Sequence, residues 1–70
     1  MCWVRTDERG RIWEASGKRE YGWTAVDVDV TAWKLLDEGV PLYEVKDGRV
    51  VKRSDADVKR DKKDLNLVRR

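Results

Sequence analysis

The stretch from Leu42 to Arg53 constrains this chain more than any other. Two short runs that carry β-favouring residues, Leu42 to Val45 and Val50 to Arg53, flank an Asp47-Gly48 pair. Asp-Gly between such runs is among the strongest short signals for a β-hairpin, because both residues tolerate the left-handed backbone that a tight turn requires. With Lys46-Asp47-Gly48 as the turn and Gly48 as a bulge, Tyr43 is expected to face Val51, and Glu44 to face Val50. At least part of the fold is therefore an antiparallel sheet.

The rest of the chain adds a second hairpin, a lone strand and two helices. Cys2 to Asp7 and Arg11 to Ala15 read as strands joined by Glu8-Arg9-Gly10, with Gly10 in the left-handed position. That three-residue turn sets Arg5 against Trp13 and Trp3 against Ala15. A two-residue Arg9-Gly10 turn sets Thr6 against Trp13 and exchanges the buried face; the longer turn is the expected one. Trp23 to Asp29 follows a polar connection and alternates cleanly, with Val26, Val28 and Val30 on one face and Asp27 and Asp29 on the other. Thr31 is placed to cap a short helix, Ala32 to Glu38, that Gly39 ends. Pro41 suits the start of the next strand. Ser54, with Asp57 three residues on, caps a C-terminal helix along which Val58 and Leu65 share a face, with Asp61 and Lys62 interrupting the apolar stripe. Residues 66–70 are expected to fray.

These elements predict an α+β fold: a small, mainly antiparallel sheet of two hairpins and one strand, a short helix and a C-terminal helix, in one domain spanning residues 1–70. A chain of 70 residues is too short for two independent cores. There are four tryptophans and no phenylalanine, and each large aromatic can bury roughly 150–250 Å². The expected core is Trp3, Ile12, Trp13, Val26, Val28, Trp33, Leu36, Tyr43, Val45, Val51 and Val58, with at most one exposed tryptophan, Trp23, beside Tyr21.

Residue chemistry argues against an enzyme. The chain has no histidine and one cysteine, which removes the commonest general base and any structural zinc site and leaves no internal disulfide. Gly10, Gly17, Gly22, Gly39 and Gly48 punctuate turns and do not form a phosphate loop. Asp27 and Asp29 pair as strand neighbours and read as solvated charges. No cofactor or metal is expected. With neither a signal peptide nor an apolar run long enough to span a bilayer, the protein is expected to be soluble, made in the cytoplasm and independent of membranes.

Charge is unevenly distributed. Residues 1–48 carry a net −3 and residues 49–70 a net +5. The basic third contains Arg49, Lys52, Arg53, Lys59, Arg60, Lys62 and Lys63, which fit either a salt-laced helix surface or a phosphate backbone bound through counterion release. Together with Tyr21 and Trp23, a flat aromatic platform, they make up the candidate interaction surface.

Two segments carry a resemblance. Trp3-Val4-Arg5-Thr6-Asp7-Glu8-Arg9-Gly10-Arg11-Ile12 resembles an opening found among short phage and prophage proteins. Pro41 to Ser54 is similar to a hairpin ending of tyrosine, strand, Asp-Gly, strand and Arg-Ser/Thr, followed by a helix with an acidic start and a late leucine, as Asp55, Asp57 and Leu65 supply here. The family is that of small proteins encoded among the tail and tail-fibre genes of phages and PBSX-like prophages. The match spans about half the chain and brings no catalytic motif. It implies a structural or adaptor part of a virion or its assembly pathway, with a virion or host protein as the expected partner and virion association. A homo-oligomer is open to it, since small hairpin proteins often complete their core by self-association and tail fibres are commonly trimeric. The alternative from the basic third is a nucleic-acid-binding accessory protein; a third is a regulator that blocks a host enzyme.

Overall fold

A computed structural model describes the backbone of residues 1–68 and the side chains of residues 1–65. Seven short strands precede one helix: β1 Cys2–Thr6, β2 Ile12–Ser16, β3 Thr24–Val26, β4 Leu36–Asp37, β5 Val40–Pro41, β6 Tyr43–Lys46, β7 Arg49–Lys52 and α1 Asp55–Val68. They form an antiparallel three-stranded sheet in the order β2-β1-β3 and two antiparallel hairpins, β4-β5 and β6-β7. The α+β architecture is as the sequence predicts. The expected fraying of Asn66 to Arg70 lies outside the described side chains, while the helical backbone runs to Val68.

The first turn combines both registers that the sequence allows. Asp7 and Arg11 close a loop of three residues, with Asp7 N–H donating to Arg11 O at 3.1 Å and Gly10 at φ +82°. Thr6 then pairs with Ile12, but a bulge shifts the ladder, so that Arg5 meets Glu14, Val4 meets Ala15 and Trp3 meets Ser16. The expected Arg5–Trp13 and Trp3–Ala15 pairs are thus each displaced by one residue. Gly10 is fixed for a second reason: a Cβ there would stand 2.8 Å from Val45 O. The strands approach closely at this point because Val45 N–H donates to Gly10 O at 2.8 Å.

In the second hairpin the turn is two residues long. Tyr43 pairs with Lys52, Glu44 with Val51, Val45 with Val50 and Lys46 with Arg49, one position away from the register expected with a bulged Gly48. Asp47 takes φ +53° and Gly48 φ +77°, which gives a primed turn whose twist matches the strands and removes the need for a bulge.

The helix expected over Ala32 to Glu38 does not form. Asp29 accepts from the Thr31 amide at 3.0 Å and its hydroxyl at 2.7 Å, and Trp33 N–H donates to Val30 O, so the capping chemistry makes local turns. Leu36–Asp37 pairs back on Val40–Pro41 instead, across Glu38 and Gly39, both with positive φ. Gly39, read as a helix stop, is a hairpin turn residue: both roles demand the left-handed backbone, and seven residues give too little helix to compete. Strand β3 likewise stops at Val26, before the expected Asp29.

The core is aliphatic. Cys2, Val4, Ile12, Val26 and Val30 are buried together, with Ala15, Leu35, Tyr43, Val45 and Val50 packed against them. Trp3, Trp13 and Trp23 are only half-buried, and Trp33 is 41% exposed, its ring tilted on Tyr43 at a centroid distance of 5.1 Å. Val28 is 40% exposed, since the chain leaves the sheet before reaching it. Of the aromatics expected inside, none is fully buried.

Helix α1 docks through the residues that seemed to interrupt its stripe. Ser54 Oγ accepts from the Asp57 amide at 3.2 Å, as a cap should. Val58 is buried, and Leu65 packs over Gly39. Between them Asp61 takes the Arg53 guanidinium at 2.6 Å and that of Arg11 at 3.2 Å, while Lys62 meets Asp37 at 2.6 Å. Val58, Asp61, Lys62 and Leu65 stand at i, i+3, i+4 and i+7, so they form one continuous docking face.

Candidate functional site

Strand alternation decides which side chains the three-stranded sheet offers to a partner. Cys2 and Val4 of β1 point into the core, so Trp3 and Arg5 point outward. Trp3 lies opposite Ala25 on one side and Ser16 on the other, and directly paired residues share a face. The outer face therefore carries Trp3, Ala25 and the Arg5–Glu14 ion pair. Trp23, two residues before Ala25, shares that face. The connection from Arg19 to Gly22 curls beside it, held by Trp23 N–H donating to Glu20 O at 3.2 Å. Together Trp3, Trp23, Ala25, Tyr21, Arg19 and Glu20 line a cleft of about 490 Å³. Tyr21 stands at its lip, fully exposed.

This cleft brings together Tyr21 and Trp23 of the sequence-derived candidates and adds Trp3, which the sequence assigned to the core. A signal was present: Trp3 alternates with Cys2 and Val4 and shares its phase with Arg5, whose charge marks the wet face. Trp13 lies outside this cleft, its indole N–H donating to Asp7 at 3.1 Å.

The basic candidates do not converge. Arg53 is 8% exposed; besides Asp61 it donates to Pro41 O at 2.8 Å. Arg60 pairs with Asp57 at 2.6 Å, and Lys62 with Asp37. Arg53, expected at an interaction surface, is thus an internal cation, because β7 runs straight into the helix cap beneath which Asp61 lies. Arg49, Lys52, Lys59 and Lys63 remain exposed, without an ion pair among the described residues.

A carboxylate-centred network lies behind these pairs. Asp7 accepts from the Arg9 and Arg11 amides, Arg11 Nε and the Trp13 indole at 2.6–3.1 Å. Partial burial works to raise the pKa of both Asp7 and Asp61. It is outweighed at Asp7 by hydrogen bonds led by the Trp13 indole, and at Asp61 by the Arg53 and Arg11 guanidiniums, so both carboxyls lie below their usual value. Asp37 is lowered chiefly by the Lys62 ammonium, which is itself raised in return. A second depression of about 420 Å³ lies over this network, between Trp13, Pro41 and Leu65. Asp27 is exposed and Asp29 holds Thr31. Among the described residues no group of three or more potential metal ligands assembles, and no helix is long and apolar enough to cross a membrane.

Comparison with known protein families, curated proteins and solved structures finds no match to this chain.

Proposed function

We propose that this chain is a non-enzymatic protein-interaction module that binds through the outer face of its β2-β1-β3 sheet. The carrying observation is the cleft formed by Trp3 and Trp23 with the fully exposed Tyr21 at its lip. Rings held at a surface by a rigid sheet give large contact area at low entropic cost, which is why Trp and Tyr dominate binding hot spots. The resemblance of both hairpins to phage tail-associated proteins supports a structural or adaptor role beside a virion or host protein. Nucleic-acid binding would rest on Arg49, Lys52, Lys59 and Lys63, since Arg53, Arg60 and Lys62 are engaged by carboxylates of the chain itself.

A photo-crosslinking residue at position 21, introduced in the producing cell, tests the proposal. Adducts to a polypeptide from position 21, in excess of those from a control at position 49, are the expected result. Equal yields from both positions, or nucleic-acid adducts from position 49 alone, would overturn it.

A further inference from the structure

The polar atoms of the aromatic cleft are left free by the fold. The Trp13 indole N–H, outside the cleft, is satisfied by Asp7. Those of Trp3 and Trp23 meet no acceptor among the described residues, and no buried side-chain nitrogen or oxygen there lacks a partner, so both N–H groups reach solvent. The rings are free as well: among the described residues Trp3, Tyr21 and Trp23 do not stack on one another, the aromatic pair being Trp33 with Tyr43. Backbone structure holds them in place. Trp3 sits on the central strand, paired on both sides. Glu20 to Trp23 is a β-turn closed by the Trp23 N–H, with Gly22 at φ +82°, as the third position of a type II turn requires. Tyr21 is the corner of that turn.

Hydrogen bonding selects the ligand. Two indole N–H groups, the Tyr21 hydroxyl and the Arg19 guanidinium can donate into the cleft, whereas the Glu20 carboxylate, exposed at its rim, is the one lining side chain that can only accept. A fitting partner is rich in acceptors, poor in donors and apolar enough to lie on aromatic faces. A sugar carries a donor on every hydroxyl and would leave most of them unanswered. An alkylammonium would meet Arg19 as a like charge. A proline-rich segment meets each demand: its rings are apolar, and its residues carry a carbonyl but no N–H. Its polyproline II helix is also ordered before binding and keeps its carbonyls unpaired. We propose that the cleft binds a proline-rich segment of a partner protein in this form, with prolyl rings against Trp3 and Trp23. The segment's carbonyls accept from the two indoles and the Tyr21 hydroxyl. This rests on the sheet face being the interaction surface and names the class of partner.

Titration of the nitrogen-15-labelled full chain with decaproline tests it, because each of the four tryptophans gives its own indole N–H resonance. Those of Trp3 and Trp23 are expected to shift saturably, and those of Trp13 and Trp33 to stay in place. Tyr21→Ala, at a fully exposed side chain, should weaken binding about tenfold. Trp23→Phe keeps a ring, removes a donor and should weaken binding about threefold, read from the Trp3 indole. No saturable shift at Trp3 and Trp23, equal shifts at all the indoles, or a response to maltoheptaose in place of decaproline would overturn the assignment. Failure of decaproline with polypeptide adducts still formed from position 21 removes the proline-rich partner and spares the interaction module; failure of both removes both.

Discussion

Removing the Asp61 carboxylate is the sharpest perturbation of this fold. Asp61 is the only anion within salt-bridge distance of Arg53 among the described residues, and the Arg53 side chain is 7% exposed. In D61A the guanidinium keeps Pro41 O but loses its counter-charge, and Arg11 keeps Asp7 alone. An ion stranded in this way costs about 3–5 kcal/mol. At about 0.05–0.15 kcal/mol per residue, the whole 70-residue domain holds roughly 4–10 kcal/mol, so D61A removes a third of it or more. E14A breaks the exposed Arg5–Glu14 pair and should cost less than about 1 kcal/mol. Replacing both partners with apolar residues, R53M/D61L, should recover much of the loss, because no buried charge is then left. Urea titrations followed by tryptophan fluorescence give the three values, provided the slope against denaturant is unchanged. Equal losses in D61A and E14A would refute the assignment of Arg53 as a buried cation held by Asp61. The pH dependence follows with a definite sign. The Asp61 carboxyl titrates lower in the folded chain than in the unfolded one, near about 3.9. Its contribution is therefore complete above the unfolded value and disappears as pH falls through the folded one. D61A should show a shallower loss of stability in acid below about pH 4.

Ile12→Ala opens the aliphatic core at a fully buried position and should cost about 2–5 kcal/mol in the same titration. Trp33→Ala, at an exposed ring that meets Tyr43, should cost no more than about 2 kcal/mol; a loss above about 3 kcal/mol would return Trp33 to the core. Gly10→Ala forces a Cβ against Val45 O in a left-handed backbone and should cost about 1–3 kcal/mol, seen as a melting temperature lower by at least about 4 °C. Nuclear Overhauser contacts should link Val45 with Val50 across the second hairpin; contacts linking Glu44 with Val50 instead would restore the bulged register.

What was legible in the sequence was chemistry acting over a few residues. Gly10 as a left-handed turn residue, Asp47-Gly48 as a hairpin and Ser54 as a helix cap each depend on local backbone geometry, and each is found where it was read. Register was less legible, because Asp47 tolerates positive φ better than most residues with a Cβ and so admits both two- and three-residue turns. Gly39 was ambiguous in the same way. The tryptophans misled through size: burying an indole requires surrounding volume on both sides, and a sheet of three short strands offers only one inner face, which Val4, Val26 and Ile12 fill. The role of Arg53 and Asp61 was invisible because Asp61 also meets Arg11, a partner 50 positions away. At the site, Tyr21 and Trp23 were identifiable from an aromatic pair in a glycine turn, whereas Trp3 joined them only once the phase of β1 was known.

Leu42 is the joint of the molecule. Its N–H donates to Leu35 O at 2.8 Å and its carbonyl accepts from Arg53 N–H at 2.9 Å, so one peptide segment continues both the β4-β5 and the β6-β7 ladders. Two-stranded hairpins are marginal alone, and here each is too short to persist without the other. Native-state hydrogen exchange should therefore show the amides of Leu42 and Arg53 opening together with those of β1, with no separate subglobal unfolding step. For anyone wishing to divide the chain or graft its second half, a break at Leu42 parts both ladders at once.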